Sequence, residues 1–324
     1  MEQGAAHADL ERNGGISMRG VRTDLAMESA GCYTGDRSGI RVDNWEEGDI
    51  SRTTVTIDTE EAARSLGKQK GKFVTICCDK LPKCGADVRK RVGELLSEAL
   101  NDMLPESGEI LVIGLGNRRV TADALGARVV ENTLVTRHLR QSVPEDLKGR
   151  LRSVCAAAPG VLGVTGMETA EMVRGIVEHV HPAAVIAIDA LAAAETARIC
   201  TTVQVTDTGI SPGSGVGNHR LGLTSDTLGV PVIAIGVPMV VYASTIAKDA
   251  LSILLHDLQM PSSDHMDAVD ALTDKISAHS LGEMVVTPRE VDELVGNLAE
   301  VLSLGINMAL QPKLSGDEIP ILMH

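Results

Sequence analysis

Between Glu109 and Val130 the chain reads EILVIGLGNRRVTADALGARVV, and Ile110-Leu111-Val112-Ile113 forms a short apolar run closed by glycine. A run this short, with no polar alternation, fits a strand buried on both faces of a parallel sheet. Gly114-Leu115-Gly116-Asn117 then breaks it with residues that take positive φ readily. Thr121 is placed to cap a following helix, with Asp123 in its first turn near the positive end of the helix dipole. A carboxylate just past the carboxyl end of a buried strand stands where open α/β sheets place their ligand sites. The competing reading makes Asp123 a helix-start acid with no other task.

The rest of the chain repeats the theme. Ala184–Ile188 reads as a second buried strand, with Asp189 the first polar residue after it and a helix-prone stretch over Ala190–Ile199. Val203–Thr206 gives a third strand ending at Asp207, and Pro231–Val241 a further one interrupted by Gly236 and Pro238. Apolar residues at helical spacing between Val88 and Met103 predict an amphipathic helix. Thr165 and Glu168 have the spacing of a capping box opening the next helix. Thr133–His138 reads as a strand followed by a charged connection, and helices are expected over Ala243–Leu258 and after Thr287-Pro288-Arg289-Glu290. SRTTVTID and KFVTICC predict a small antiparallel β lobe within about residues 50–80.

Strands alternating with helices imply an α/β fold, a mostly parallel sheet with helices on both faces, plus the added lobe. Residues 1–24 are expected to be an arm and 25–324 one domain, with an irregular or small helical insertion over 259–280. With one Trp, two Tyr and one Phe, the core must be aliphatic. The net charge of -14 argues against nucleic acid as a direct partner. No apolar run approaches a membrane span, and MEQGAAHADLERNGG lacks a signal-peptide pattern, so a cytoplasmic protein is expected. The six cysteines are expected to be reduced; Cys77-Cys78 with Cys84 lack a CxxC pair or a nearby His, which argues against zinc.

Asp123 and Asp189 each follow a buried strand, and each opens an Asp-Ala-Leu triplet. On neighbouring strands they would share one crevice; two close carboxylates holding one proton can activate water and hydrogen-bond a carbonyl. The alternative is two independent caps. The four-glycine loop from Asp207 to Asn218 either wraps an anion or an extended peptide, or is a plain connection.

VRTDLAME, GLGNRRVTADALG, PGVLGVTGMETAE, AIDALAA, VQVTDTGISPGSGVGN and MVVTPREVDEL occur in one order along nearly the whole chain. In these motifs the sequence resembles the germination protease family of spore-forming bacteria. The resemblance implies an atypical aspartic endopeptidase that initiates degradation of small acid-soluble spore proteins in the germinating spore core. It implies a fold similar to hydrogenase-maturation endopeptidases, a homotetramer, and a zymogen that removes its N-terminal segment. The family's two acids fall on Asp123 and Asp189. Asp24-Leu25-Ala26-Met27-Glu28 has the layout of the family's cleavage pentapeptide, which places self-cleavage between Asp24 and Leu25. Asn117, His138, Thr165, Glu168, Asp207 and Ser214 are the supporting candidates near the crevice, although His138 also suits a structural role and Glu168 its capping box. The chain departs from the family pattern at Ala122, Ala194, Glu195, Met239 and Tyr242, changes that bear on substrate preference and activity more than on fold.

No cofactor or metal is expected. Two rivals are a metal-dependent peptidase using the same acids and a non-catalytic phosphate- or nucleotide-binding module built on GLGN and the Asp207–Asn218 loop. Against the module, GLGN lacks the third glycine of G-x-G-x-x-G, and no G-x-x-x-x-G-K-[ST] occurs.

Overall fold

A computed structural model describes residues 23–31, 38–141, 147, 149–210, 221–257, 275, 284–314 and 318–322. The arm before residue 23, Cys32, Ser214 with most of the glycine loop, and the 259–280 stretch apart from Lys275 lie outside the described residues.

One nine-stranded mixed sheet carries the described chain. Its strands are β1 (Ile40–Glu47), β2 (Ile50–Ile57), β3 (Gly71–Cys78), β4 (Ile110–Gly114), β5 (Val154–Ala157), β6 (Ala184–Ala193), β7 (Thr202–Thr206), β8 (Val232–Tyr242) and β9 (Val285–Val286). The order is β1-β2-β3-β7-β8-β6-β4-β5, with β9 on β8. β5, β4, β6 and β8 run parallel to one another; the apolar runs predicted β4, β6 and β8, and β5 is a strand they did not predict. The antiparallel lobe is there too, with an unforeseen third strand, β1, and it joins the main sheet through β3 and β7. β1 escapes a hydrophobic pattern because nearly all of it is exposed.

The described α-helices are α1 (Ala26–Gly31), α2 (Glu60–Leu66), α3 (Ala86–Asn101), α4 (Leu125–Glu131), α5 (Leu162–Thr165), α6 (Thr169–Val180), α7 (Ser225–Leu228), α8 (Ala243–Asp257), α9 (Val291–Leu310) and α10 (Glu318–Leu322), with short 3-10 turns between them. Ile110 and Val112 of β4 pack with Leu96 of α3 and Leu298 of α9 on one face. Leu111 and Ile113 pack with Val173 and Val177 of α6 on the other. That double burial is why the run has no polar alternation. Among the described residues, α9 is the one helix long and apolar enough to cross a membrane, and it is mostly buried inside the fold, as a core helix is.

Several local expectations are corrected. Thr133–His138 is not a strand; β5 takes the free edge of β4, and the segment reaches β5 through Thr136, whose N–H donates to the Val154 carbonyl at 2.9 Å and whose hydroxyl accepts the Val154 N–H at 3.0 Å. The capping box sits one turn later than predicted. Thr165 ends α5, Gly166 turns the chain at φ 73°, and Glu168 caps α6 with its N–H donating to Glu171 Oε2 at 3.3 Å. α9 starts at Val291 with Glu290 as its cap, because the Thr287 hydroxyl donates to the Met239 carbonyl at 2.9 Å instead. Ala190–Ala193 is strand, not helix: β8 runs alongside and pairs out to Ala193 with Val241, overriding alanine's helix preference. Gly236 and Pro238 do not interrupt β8; the sheet absorbs the proline as a register shift between Leu191 and Ala192.

Candidate active site

The site begins where β4 stops and β6 continues. β4 ends at Gly114, opposite Ile188, so Asp189 is the first residue of β6 beyond its neighbour's edge. It lies inside the longer strand, not after it, yet at the carboxyl edge of the β4–β6 pair.

Two glycines bring α4 down onto that edge. A Cβ on Gly114 would lie 2.2 Å from the Gly126 carbonyl oxygen, and one on Gly126 2.5 Å from the Leu115 nitrogen. Only bare backbone allows that approach. Gly116 turns the chain at φ 94°, and a Cβ there would meet the Asp123 carbonyl oxygen at 2.0 Å. The turn aims the Asn117 N–H at Asp123 Oδ2, 2.7 Å away. Asp123 itself ends a 3-10 turn, Thr121–Asp123, its N–H bonded to the Val120 carbonyl; the α-helix starts only at Leu125, so Thr121 is not its cap. The GLGN backbone therefore holds a carboxylate of the chain where a nucleotide-binding loop would hold phosphate.

Asp189 is 6% exposed, and its Oδ1 accepts the Ala190 N–H at 2.9 Å. Asp189 pairs with Gly236 of β8, which pairs in turn with Gln204 of β7. Leu191 folds over Gly236, where a Cβ would meet its Cδ1 at 2.3 Å. Asp123, Asp189, Gly236, Gln204, Asn117 and Lys68 all line one cavity of about 720 Å³. The two acids singled out by the sequence thus share a crevice, as adjacent strands require.

The crevice is occupied by the chain itself. Beyond the end of β4, β6 has an open edge, and Ala192 turns both its backbone groups to Asp24. The Asp24 N–H donates to the Ala192 carbonyl at 3.1 Å, and the Ala192 N–H donates to Asp24 Oδ2 at 2.9 Å. Leu25 is fully buried against Leu191, Ala193 and Val241. Ala26 is also fully buried, packed with Val55 and Phe73. The buried Glu28 carboxylate takes the Thr23 hydroxyl and, at 3.0 Å, the Ala194 N–H. Burial pushes Glu28 above the usual carboxylate range, against the pull of those two donors. Lys68 donates to the Thr23 carbonyl at 3.1 Å; burial lowers its ammonium pKa, while the charges of Asp24 and Glu28 raise it. The four positions that define the pentapeptide are the ones held, and the variable Met27 is only half-buried.

The supporting candidates divide. Asn117 belongs to the site through its bond to Asp123. Asp207 is exposed and ties the loop to β3, accepting the Lys72 N–H at 2.8 Å. Thr165 Oγ1 donates to the Val161 carbonyl at 3.2 Å, and Glu168 serves as the cap already described. His138 is exposed in a 3-10 turn, Arg137–Gln141. None of these four lines the cavity. Glu195 is exposed and pairs with Arg198, while the departure at Ala194 presents its backbone N–H to Glu28. Among the described residues no three His, Cys, Asp or Glu side chains gather as metal ligands, and no His or Cys lines the cavity.

Sequence reasoning missed Lys68 and Gln204. Gln204 did carry a signal, as the one long polar side chain inside an otherwise β-branched strand, TVQVT.

The fold and crevice define an α/β framework in which two acids line one cavity and a peptide segment of the chain is held along its edge. The chain belongs to the germination protease family, whose profile matches residues 22–280. It is 44% identical to the germination protease of Caldanaerobacter subterraneus subsp. tengcongensis, over 95% of this chain and 100% of that one. It is 40% identical to the germination protease of Clostridium acetobutylicum, over 93% and 98% of the two chains. With the Bacillus cereus germination protease it shares 36% identity over 95% and 98%. It is therefore an endopeptidase. A solved nickel–iron hydrogenase maturation protease from Thermococcus kodakarensis covers 55% of this chain at 18% identity, 96% of its own length and a TM-score of 0.27, a likeness too slight to bear on the site.

Proposed function

We propose that the chain is a zymogen whose Asp123/Asp189 pair hydrolyses its own Asp24–Leu25 bond. The enzyme then released, a homotetramer by family resemblance, begins the degradation of small acid-soluble spore proteins in the spore core. The observation that carries this reading is the Thr23–Glu28 segment, held along β6 with Asp24 lining the cavity that both acids line.

In this mechanism one carboxylate of the pair takes a proton from a water molecule as its oxygen attacks the Asp24 carbonyl carbon. The tetrahedral intermediate collapses with cleavage of the C–N bond, and the Leu25 nitrogen leaves as an amine after taking a proton from the pair. Backbone donors from Asn117 and Ala190 hold the two carboxylates in place while protons move. The buried leucine site and the polar grip on the two flanking acids supply the specificity, since an acid removed from water needs partners that a different side chain would leave unpaired. The same grips suit an acid–apolar–Ala–x–Glu stretch presented by another protein.

The test is cleavage of a purified small acid-soluble spore protein, with product termini read by mass spectrometry and a chelator arm alongside. Cuts confined to the bond after the first acid of such pentapeptides, unaffected by the chelator, support the reading. Cuts elsewhere, or loss of activity on chelation restored by added metal, contradict it.

A further inference from the structure

The Asp24–Leu25 bond is held by one side chain on both sides. Gln204 Nε2 donates to the Asp24 carbonyl oxygen at 3.2 Å, and Gln204 Oε1 accepts the Ala26 N–H at 2.7 Å. The Asp24 oxygen is the carbonyl oxygen of the bond to be cut, and the Ala26 nitrogen is one residue beyond the leaving nitrogen. The carboxamide can be oriented only one way. A backbone N–H needs an acceptor opposite it and a carbonyl needs a donor, so Oε1 must face Ala26 and Nε2 must face Asp24.

We infer that Gln204 is a catalytic residue of this peptidase, supplying the hydrogen-bond donor for the oxyanion that forms on the scissile carbonyl; this rests on the proposed cleavage at Asp24–Leu25. When water oxygen bonds to the Asp24 carbon, one water proton passes to the aspartate pair and the carbonyl π electrons move onto oxygen. The Nε2–H is then aimed at a negative charge instead of a neutral carbonyl, and a donor already in place strengthens without reorganising. On collapse the double bond re-forms, the C–N electron pair leaves with Leu25 nitrogen, and that nitrogen takes its proton from the pair. No other reactant is needed.

The position is built for such a task. Gln204 is 6% exposed, and its strand is paired on both sides, with Thr75 of β3 and Gly236 of β8. Its backbone is therefore fixed by the sheet, not by a loop, and the two bonds to the segment fix the carboxamide. Asp189 stands in the same row, beyond Gly236, so the donor and one of the acids lie on the same face of the sheet and line the same cavity. Thr75, the neighbour on the far side, has no hydrogen-bond partner for its buried hydroxyl among the described residues and does not compete for the carboxamide.

The test uses the full-length protein and a peptide spanning Thr-Asp-Leu-Ala-Met-Glu, comparing wild type with Gln204→Met and Gln204→Glu. Loss of one oxyanion donor is expected to lower kcat roughly 10²- to 10³-fold, with KM changed far less and Gln204→Glu at least as impaired as Gln204→Met. A kcat within a few-fold of wild type in a folded variant, or a loss confined to KM, would overturn the assignment. Should neither variant fold by circular dichroism, the wild type decides. On binding a peptide with a phosphinate in place of the scissile amide, the Gln204 side-chain ¹⁵N–H resonance is expected to shift downfield, and an unmoved resonance refutes the contact. Failure of the underlying reading looks different: wild-type protein then leaves the Asp–Leu bond of the peptide intact, or Asp123→Asn and Asp189→Asn cut it normally.

Discussion

Asp189 and Gln204 stand in one row of the sheet, each paired with Gly236 from opposite sides. Their Cα atoms are two strand spacings apart, roughly 10 Å, and residues so paired point to the same face. Between them lies the one residue of the row with no side chain, over which Leu191 folds to meet Leu25. The row thus joins an acid, a carboxamide and the apolar site for the residue after the cut.

Gly236→Ala tests that arrangement. Its Cβ would have to displace Leu191, whose end lies 2.3 Å from the ideal position. Overpacking of this kind costs about 1–3 kcal/mol. KM for peptides with leucine after the acid is expected to rise about tenfold, and less for alanine in that place. Equal KM changes for both peptides would show that Leu191 does not shape the site.

Gly116→Ala should damage activity through Asp123. The substitution forces a left-handed residue, at about 1–3 kcal/mol, into contact with the Asp123 backbone. Displacing a catalytic group by about 1 Å costs on the order of 10²-fold in rate. Thermal unfolding and peptide hydrolysis measured together should show both losses, and full activity in this variant would count against Asp123 as a catalytic acid.

Lys68→Met keeps an unbranched four-atom stem but removes the charge from Asp24 and Glu28 and the bond to the Thr23 carbonyl. Self-cleavage is expected to slow about tenfold, a loss of about 1.4 kcal/mol, and discrimination between Asp and Asn before the cut should shrink in peptide assays. Undiminished discrimination would assign acid recognition to other groups.

The seating of the segment should depend on pH through Glu28, whose carboxyl burial and nearby Glu195 hold above the ordinary 4.5 against Thr23, the Ala194 N–H and Arg198. A raised folded value means that protonation favours the seated state. Its contribution is complete below about pH 4.5 and is lost as pH rises through the raised value. Lys68 also faces Glu28; burial lowers its ammonium pKa below the ordinary 10.5 against the charges of Asp24 and Glu28, so its own contribution has the opposite sign and grows as pH rises. Hydrogen exchange of residues 23–31 in an uncleavable variant should therefore accelerate as pH rises through the Glu28 transition, after correction for intrinsic exchange. Glu28→Gln should flatten that rise; an unchanged profile would place the pH dependence elsewhere.

The two-sided strands were legible because Ile110–Ile113 and Ala184–Ile188 are buried on both faces, which leaves a continuous apolar record in the chain. The acids were legible because β4 and β6 are neighbours and each apolar run breaks at the same sheet edge, Gly114 opposite Ile188. The true length of β6 was not, since Ala190–Ala193 is strand only because β8 accompanies it. Gln204 and Lys68 escaped for a similar reason. Their roles rest on contacts with Asp24 and Thr23, which lie 180 and 45 residues away along the chain, and such pairings leave no local periodicity.

The central claim is that Asp123 and Asp189 together cut the Asp24–Leu25 bond, and intact mass with N-terminal sequencing tests it most directly. Wild type, Asp123→Asn and Asp189→Asn would each be purified and incubated at mildly acidic pH. The account predicts that wild type alone converts to a chain beginning at Leu25. Shortening of all three at the same bond and rate, or a folded wild type that never shortens, would contradict it.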